Sequence, residues 1–152
     1  MAINNIVDES FIINQKKLKQ FGDRCSNVKI GIMGGTFDPI HYAHLATAEF
    51  IRDNYKLDKI LFIPSGNPPH KKGNITDKYD RYNMVLLSTV NNDDFIVSDI
   101  EIKREKSTYT IDTLKVLKQI YKNAEIYFIT GADAICDIET WKDVEGNFKL
   151  AN

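Results

Sequence analysis

Cysteine is scarce in this sequence. Cys25 and Cys136 are the only two and show no metal-ligand spacing, so neither a disulfide framework nor a zinc site is indicated. An excess of either charge is also lacking: 20 Lys and Arg stand against 21 Asp and Glu, a net charge of -1, which gives no electrostatic case for nucleic acid as a partner. No apolar run approaches the roughly 20 residues that span a bilayer, so no membrane partner is expected. Near the N-terminus, Ile6, Val7 and Phe11 to Ile13 are interrupted by Asp8, Glu9 and Ser10, which breaks any signal-peptide core. These absences lead to an expectation of a cytoplasmic protein with reduced thiols. What is present, 43% hydrophobic and 27% charged residues over 152 positions, suits one soluble globular domain with enough chain to bury a core.

The densest information lies between Lys29 and Ala48, KIGIMGGTFDPIHYAHLATA. Val28 to Met33 is a short apolar run with β-branched residues, closed at once by two glycines, and reads as a buried strand. Gly34, Gly35 and Thr36 are expected to form a turn with free backbone N–H groups. Asp38-Pro39 punctuates it before a helical pattern that runs from His41 to about Tyr55. Strand, glycine turn and helix N-terminus in that order make an anion site, because the amides and the helix dipole converge on it. His41 and His44 are three apart, so both imidazoles project from one side of the first helical turn. Two imidazoles beside such a site point to chemistry on a phosphate.

Residues 1–27 precede this stretch as an extension without a readable role. Glu9 to Phe21 is expected to be an amphipathic helix stopped by Gly22, with Phe11, Leu18 and Phe21 partly on one side, loosely attached to the domain of residues 28–152. In the helix after the glycines, Ala43, Ala46, Phe50 and Ile51 are expected on the buried side. Lys59 to Pro64, KILFIP, is a second strand. The loop SGNPPHKKGN after it carries His70-Lys71-Lys72 and reads on composition as readily as a solvated connection as a functional one. Thr76 or Asp77 can cap a helix from Lys78 to about Val90, and Asp94 to Ile102 reads as a third strand. Ser107 to Thr110 opens a helix with Ile111, Leu114, Leu117 and Tyr121 at helical spacing, its hydroxyls available for capping. Ala124 to Thr130 is a fourth strand ending in Gly131-Ala132-Asp133, and Trp141 follows a short helical turn. Strands alternating with helices predict an α/β fold with a parallel, doubly wound, Rossmann-like sheet.

Two of these segments carry a family resemblance. GGTFDPIHYAH resembles the signature of the nucleotidylyltransferase superfamily, with Ala43 where the family usually has glycine. STYTIDTL resembles the SYT-x-DTL segment of bacterial nicotinate-nucleotide adenylyltransferases. The resemblance implies transfer of AMP from ATP to nicotinate mononucleotide, giving nicotinate adenine dinucleotide and pyrophosphate in NAD biosynthesis, with Mg²⁺ carried on the ATP. It implies His41 and His44 as catalytic residues, and contact with ATP from Gly34, Gly35, Thr36, Phe37, Gly131 and Asp133. It places His70, Lys71, Tyr109, Thr110 and Trp141 against the mononucleotide, Trp141 by stacking on the pyridine ring. Lys142 stands where many relatives have a hydroxyl or aromatic group. Another adenylyl- or cytidylyltransferase, such as one acting on pantetheine phosphate, is the alternative within the superfamily, and an inactive nucleotide-binding remnant the alternative outside it. Members usually continue past a segment like KLAN into a fifth strand, further helices and an Ile-Ser-Ser/Thr-Thr-x-Ile-Arg clasp for the ATP phosphates. By that pattern this chain lacks the last strand and the C-terminal helices. Its fourth strand is then expected to expose an apolar edge that favours self-association.

Overall fold

The computed structural model describes residues 2–22, 26–68 and 73–152. Helix α1 (Ala2–Gly22) precedes strand β1 (Ser26–Gly35), then α2 (Tyr42–Tyr55), β2 (Lys59–Pro64), α3 (Lys78–Thr89), β3 (Phe95–Val97), α4 (Thr110–Ile120) and β4 (Asn123–Ile129). Two short helices follow, α5 (Ala132–Cys136) and α6 (Val144–Leu150), with a 3₁₀ turn at Ile138–Thr140 between them. The four strands are all parallel in the order β3-β2-β1-β4, the expected doubly wound sheet, in which the winding reverses between β1 and β4. Among the described residues, no helix is long and apolar enough to cross a membrane.

The core lies on both faces of the sheet because strand side chains alternate. Ile60 and Phe62 of β2 pack on one side with Ala48 of α2 and Val85 and Leu86 of α3. Leu61 and Ile63 pack on the other with Leu114 and Leu117 of α4. On α2 the inward stripe is Ala48, buried, flanked by Leu45 and Ile51, both partly buried. Of the expected stripe only Ile51 faces the core: Ala43 and Ala46 are exposed, and Phe50 is 68% exposed. Asp77 is the N-cap of α3, its Oδ1 accepting from the N–H of Tyr79 at 2.8 Å.

Two strand boundaries differ from expectation for local reasons. β3 ends at Val97 and does not continue to Ile102. Past it, the Ser98 Oγ accepts from the N–H of Ile100 (3.3 Å), and the N–H of Lys103 turns back to the Asp99 carbonyl (3.0 Å). Short polar side chains that bond their own backbone compete with the ladder and end it here. β1 runs further than expected and takes in Gly34 and Gly35, which pair with Ile63 and Pro64.

The two edges of the sheet are both occupied. α1 is not a loose extension: its Ser10, Asn14 and Phe21 are buried, and Phe21 packs on Tyr121 with ring centroids 5.5 Å apart. The Asn14 amide lies on the outer edge of β3, donating to the Val97 carbonyl (2.9 Å) and accepting from the Val97 N–H (2.8 Å). Lys17 Nζ donates to the carbonyls of Val90 and Asn92 at 2.9 and 2.8 Å. On the opposite edge, the N–H of Asn152 donates to the Ile126 carbonyl (2.8 Å), and its own carbonyl accepts from the Phe128 N–H (2.9 Å). That is the bonding of a parallel rung, so the outer edge of β4 is not bare at these residues.

Candidate active site

The site lies where β1 and β4 part. Pairing of β1 with β2 reaches Gly35↔Pro64, whereas pairing with β4 stops at Met33↔Ile129. Gly34 and Gly35 therefore have a strand on one side and an open crevice on the other, the place where doubly wound sheets bind ligands. The two glycines end a strand and do not form the expected turn; the chain leaves the strand at Thr36 and turns at Asp38-Pro39. Gly35 sits at a close approach. A Cβ there would sit 3.1 Å from the ring of Phe37, a buried residue held at φ 50°.

His41 is the N-cap of α2, with φ -147° and ψ 172°. Its N–H donates to His44 Nδ1 at 3.3 Å, one half of a capping box in which an imidazole replaces the usual carboxylate or amide. The two rings stack at 3.9 Å, and His44 meets the Phe37 ring edge-on at 5.1 Å. Burial pushes the His44 pKa below the ordinary imidazole value, and the neighbouring His41 pushes it further. A neutral ring that accepts at Nδ1 carries its proton on Nε2, so the capping contact makes His44 a donor at that nitrogen.

Beside the glycines lies a cavity of about 260 Å³. Gly34, Gly35 and Thr36 contribute to its wall, as do Tyr109, Thr110 and Trp141. The structure thus brings six of the candidate residues to one space. Trp141 meets Phe128 edge-on, with centroids 5.9 Å apart at 87°. Tyr109, the N-cap of α4, has Lys142 Nζ 4.7 Å from its ring centroid, and that ammonium pairs with Asp112 at 3.0 Å. The loop after β2 closes against the segment before α4. Asn67 donates to the Glu105 carbonyl and accepts from the Thr108 N–H, and a Cβ on Gly66 would strike the Glu101 carbonyl.

Three buried polar atoms on this cavity wall have no hydrogen-bond partner among the described residues: Ser65 Oγ, Thr108 Oγ1 and Asn147 Oδ1. Asn147 commits its Nδ2 to the carbonyls of Lys142 and Asp143, which leaves Oδ1 as a free acceptor. α4 has no side-chain cap, so the Thr108 hydroxyl is not used for the expected capping. A wall carrying such atoms suits a polar ligand, because buried hydroxyls and amides in folded proteins are nearly always bonded. Glu101, also buried on the wall, accepts from Thr113 Oγ1 at 2.7 Å.

The remaining candidates lie apart from the cavity wall. Phe37 is buried beneath Gly35, while His41 and His44 stand at the start of α2. Gly131 is the N-cap of α5, between the lining residues Thr130 and Ala134. His70 and Lys71 lie outside the described residues, as does the side chain of Asp133. Among the described residues, no group of three or more His, Cys, Asp or Glu side chains gathers to hold a metal ion. Sequence reasoning missed Ser65, Glu101, Thr113, Phe128 and Asn147. Only Asn147 left a signal, as a polar residue at helical spacing from Leu150 in an amphipathic segment.

Residues 32–152 match the model of the cytidylyltransferase-like family. The chain is 57% identical over 127 residues to a probable nicotinate-nucleotide adenylyltransferase of Thermoanaerobacter sp. (strain X514), a match that covers 82% of this chain and 60% of that protein. It is 52% identical over 125 residues to the protein of the same description from Desulfitobacterium hafniense (strain Y51), with the same coverage. Among solved structures, it resembles the Plasmodium falciparum nicotinic acid mononucleotide adenylyltransferase complexed with NaAD, with a TM-score of 0.69 and 31% identity over 78% of this chain and 59% of that one. The chain spans about 60% of the length of the curated relatives it matches.

Proposed function

Since the chain belongs to the cytidylyltransferase-like family, we propose that the protein transfers AMP from ATP to nicotinate mononucleotide, forming nicotinate adenine dinucleotide and pyrophosphate in NAD biosynthesis. One observation carries this reading: the glycines ending β1 and the Tyr109-Thr110 and Trp141 positions share one cavity where β1 and β4 part. The names of the relatives support it.

In this reaction the 5′-phosphate oxygen of the mononucleotide forms a bond to the α-phosphorus of ATP. The bond from that phosphorus to the bridging oxygen breaks, and pyrophosphate leaves with the electron pair. The attacking phosphate is already an anion at neutral pH, so no general base is needed. The protein must hold the two phosphates in line and stabilise charge on the α-phosphorus oxygens and the leaving group. The backbone from Gly34 to Phe37 cradles the triphosphate. His44, neutral and protonated at Nε2, donates to the developing charge, with His41 beside it. Gly131 and Asp133 meet the adenosine. Thr110 and the N-terminus of α4 receive the nicotinate carboxylate, Trp141 stacks on the pyridine ring, and His70 and Lys71 hold the mononucleotide. Mg²⁺ would arrive on the ATP phosphates and neutralise part of their charge. A donor set of amides, imidazoles and hydroxyls fits an ion whose ligands are mostly phosphate oxygens and water.

A pyrophosphate-release assay on the protein carried through the full length of its relatives tests this. Nicotinate mononucleotide with ATP is expected to turn over, with kcat/KM well above that for nicotinamide mononucleotide, whose carboxamide brings donors towards donors. Equal use of the two, or turnover of pantetheine phosphate alone, would overturn the assignment.

A further inference from the structure

Arg81, in the first turn of α3, is 1% exposed. It stands where the helix otherwise buries Val85 and Leu86, and a guanidinium there is tolerated only if its N–H groups are satisfied. Its Nε donates to the Thr76 carbonyl at 2.9 Å. One terminal nitrogen donates to the Thr36 carbonyl at 2.6 Å, and the other to the carbonyls of Ser65 (2.7 Å) and Gly66 (3.2 Å). These acceptors belong to three segments: the turn after β1, the loop after β2 and the approach to α3. Thr36 and Ser65 are also part of the cavity wall, so the same peptides that face the crevice are tied from behind by one side chain.

All four acceptors are neutral carbonyls. Burial lowers the Arg81 pKa, while the charges of Asp38 and Asp77 raise it, and the Asp38 carboxylate also accepts from the Thr76 N–H at 3.0 Å. The guanidinium stays charged, and because Arg81 itself is buried its field is screened less by solvent than that of a surface cation. Filling space would need only an aliphatic side chain, so a buried cation spanning three segments calls for a further role.

We infer that Arg81 is a positioning residue for phosphate binding and transfer. It locks the turn after β1 to the loop after β2 and sets a fixed positive charge behind the crevice, without touching substrate. This rests on the reading of the crevice as a polyphosphate site.

Two variants separate its charge from its geometry. Arg81→Met keeps an unbranched stem but loses the charge and the fork; Arg81→Lys keeps the charge and loses the fourfold reach. Both are compared with the unaltered protein at a temperature where circular dichroism shows them folded, by calorimetric titration with inorganic pyrophosphate and by steady-state transfer in the full-length form. Arg81→Met is expected to weaken pyrophosphate binding about 10-fold or more, the loss of a buried cation's field. Arg81→Lys is expected to stay within about threefold in pyrophosphate affinity and in KM while kcat falls about 10- to 100-fold, as a misplaced wall does. A residue that only stabilises the fold would lower the melting temperature of both variants and leave these constants unchanged, which would overturn the inference. If Arg81→Met fails to fold, an unchanged kcat in Arg81→Lys overturns it alone. Failure of the unaltered chain to bind pyrophosphate also overturns it. Turnover of a different substrate with the pyrophosphate dependence intact would refute the nicotinate assignment and uphold Arg81.

Discussion

The stretch from Gly34 to Thr36, which leads on to His41 and His44, and the pocket around Tyr109 and Trp141 meet at one crevice but are built differently. The first is largely main chain, two glycines and a turn, with imidazoles at a helix start. The second is a wall of side chains: an indole fixed edge-on by Phe128, a phenol under Lys142, and buried hydroxyls left unpaired. Backbone amides and a helix end read charge and distance, and any polyphosphate satisfies them equally. Rings and hydroxyls read the outline of one ligand and reject those that leave their polar atoms unmatched. Rate should therefore depend on the first region and choice of substrate on the second.

The sharpest break of that division is His44→Ala, which we expect to lower kcat about 100-fold or more, the usual cost of removing one preorganised donor to transition-state charge. Its substrate preference should not move. A stopped assay with both mononucleotides reads the two quantities together, and turnover within a few-fold of the parent would make His44 a packing residue.

Thr110→Val should do the opposite. The ratio of kcat/KM for nicotinate over nicotinamide mononucleotide is expected to fall about 10-fold, the worth of one hydrogen bond to a charged group, with kcat for nicotinate mononucleotide retained. An unchanged ratio would remove Thr110 from the pocket's reading of the carboxylate.

Gly35→Ala tests whether the main-chain wall tolerates any side chain. The new methyl would press on the Phe37 ring at 3.1 Å, and a loss of about 1–3 kcal/mol in urea unfolding is expected for such overpacking. Gly34→Ala should cost less, since the nearest atom there is on Phe128 at 3.7 Å. Equal losses at the two positions would contradict the described packing.

The smallest effect is in pH. The His44 pKa is lowered from 6.5 by burial and by His41, so the neutral donor persists to lower pH than in a free imidazole. The acid limb of kcat should therefore be centred below pH 6.5. Protonation places a second N–H at Nδ1 against the His41 N–H, so the capping bond is lost in the same window. An acid limb centred at or above 6.5 would contradict this reading of His44.

Much of this arrangement was legible in the sequence because it depends on spacing along one chain. The β1–α2 segment, the start of α4 and the Trp141 position are local patterns, and hydrophobic runs located all four strands. What escaped depends on contacts across the chain. Ser98 and Asp99 ended β3 through turn bonds inside an otherwise strand-like run. α2 faces Phe50 outward and buries Ala48 in the cluster that holds Ile60 and Phe62 of β2. Arg81 has the sequence look of a solvated charge, and only the meeting of three loops shows why it is buried. α1 was misread for a related reason. Apolar periodicity reports packing on a face, whereas the buried stripe of α1 includes Ser10 and Asn14 because it docks on a strand edge.

That edge contact gives the sheet a direction of growth. The Asn14 amide sets one N–H and its oxygen on Val97, as the peptide groups of a next strand would. Behind that single rung there is a helix, with no further extended chain to copy, and Lys17 engages the neighbouring carbonyls of Val90 and Asn92. Strand addition is stoppered on the β3 flank, whereas the β4 flank already accepts main chain from Asn152. Main chain can therefore lie along this sheet beside β4 and not beside β3, where a helix already stands in the place of a strand.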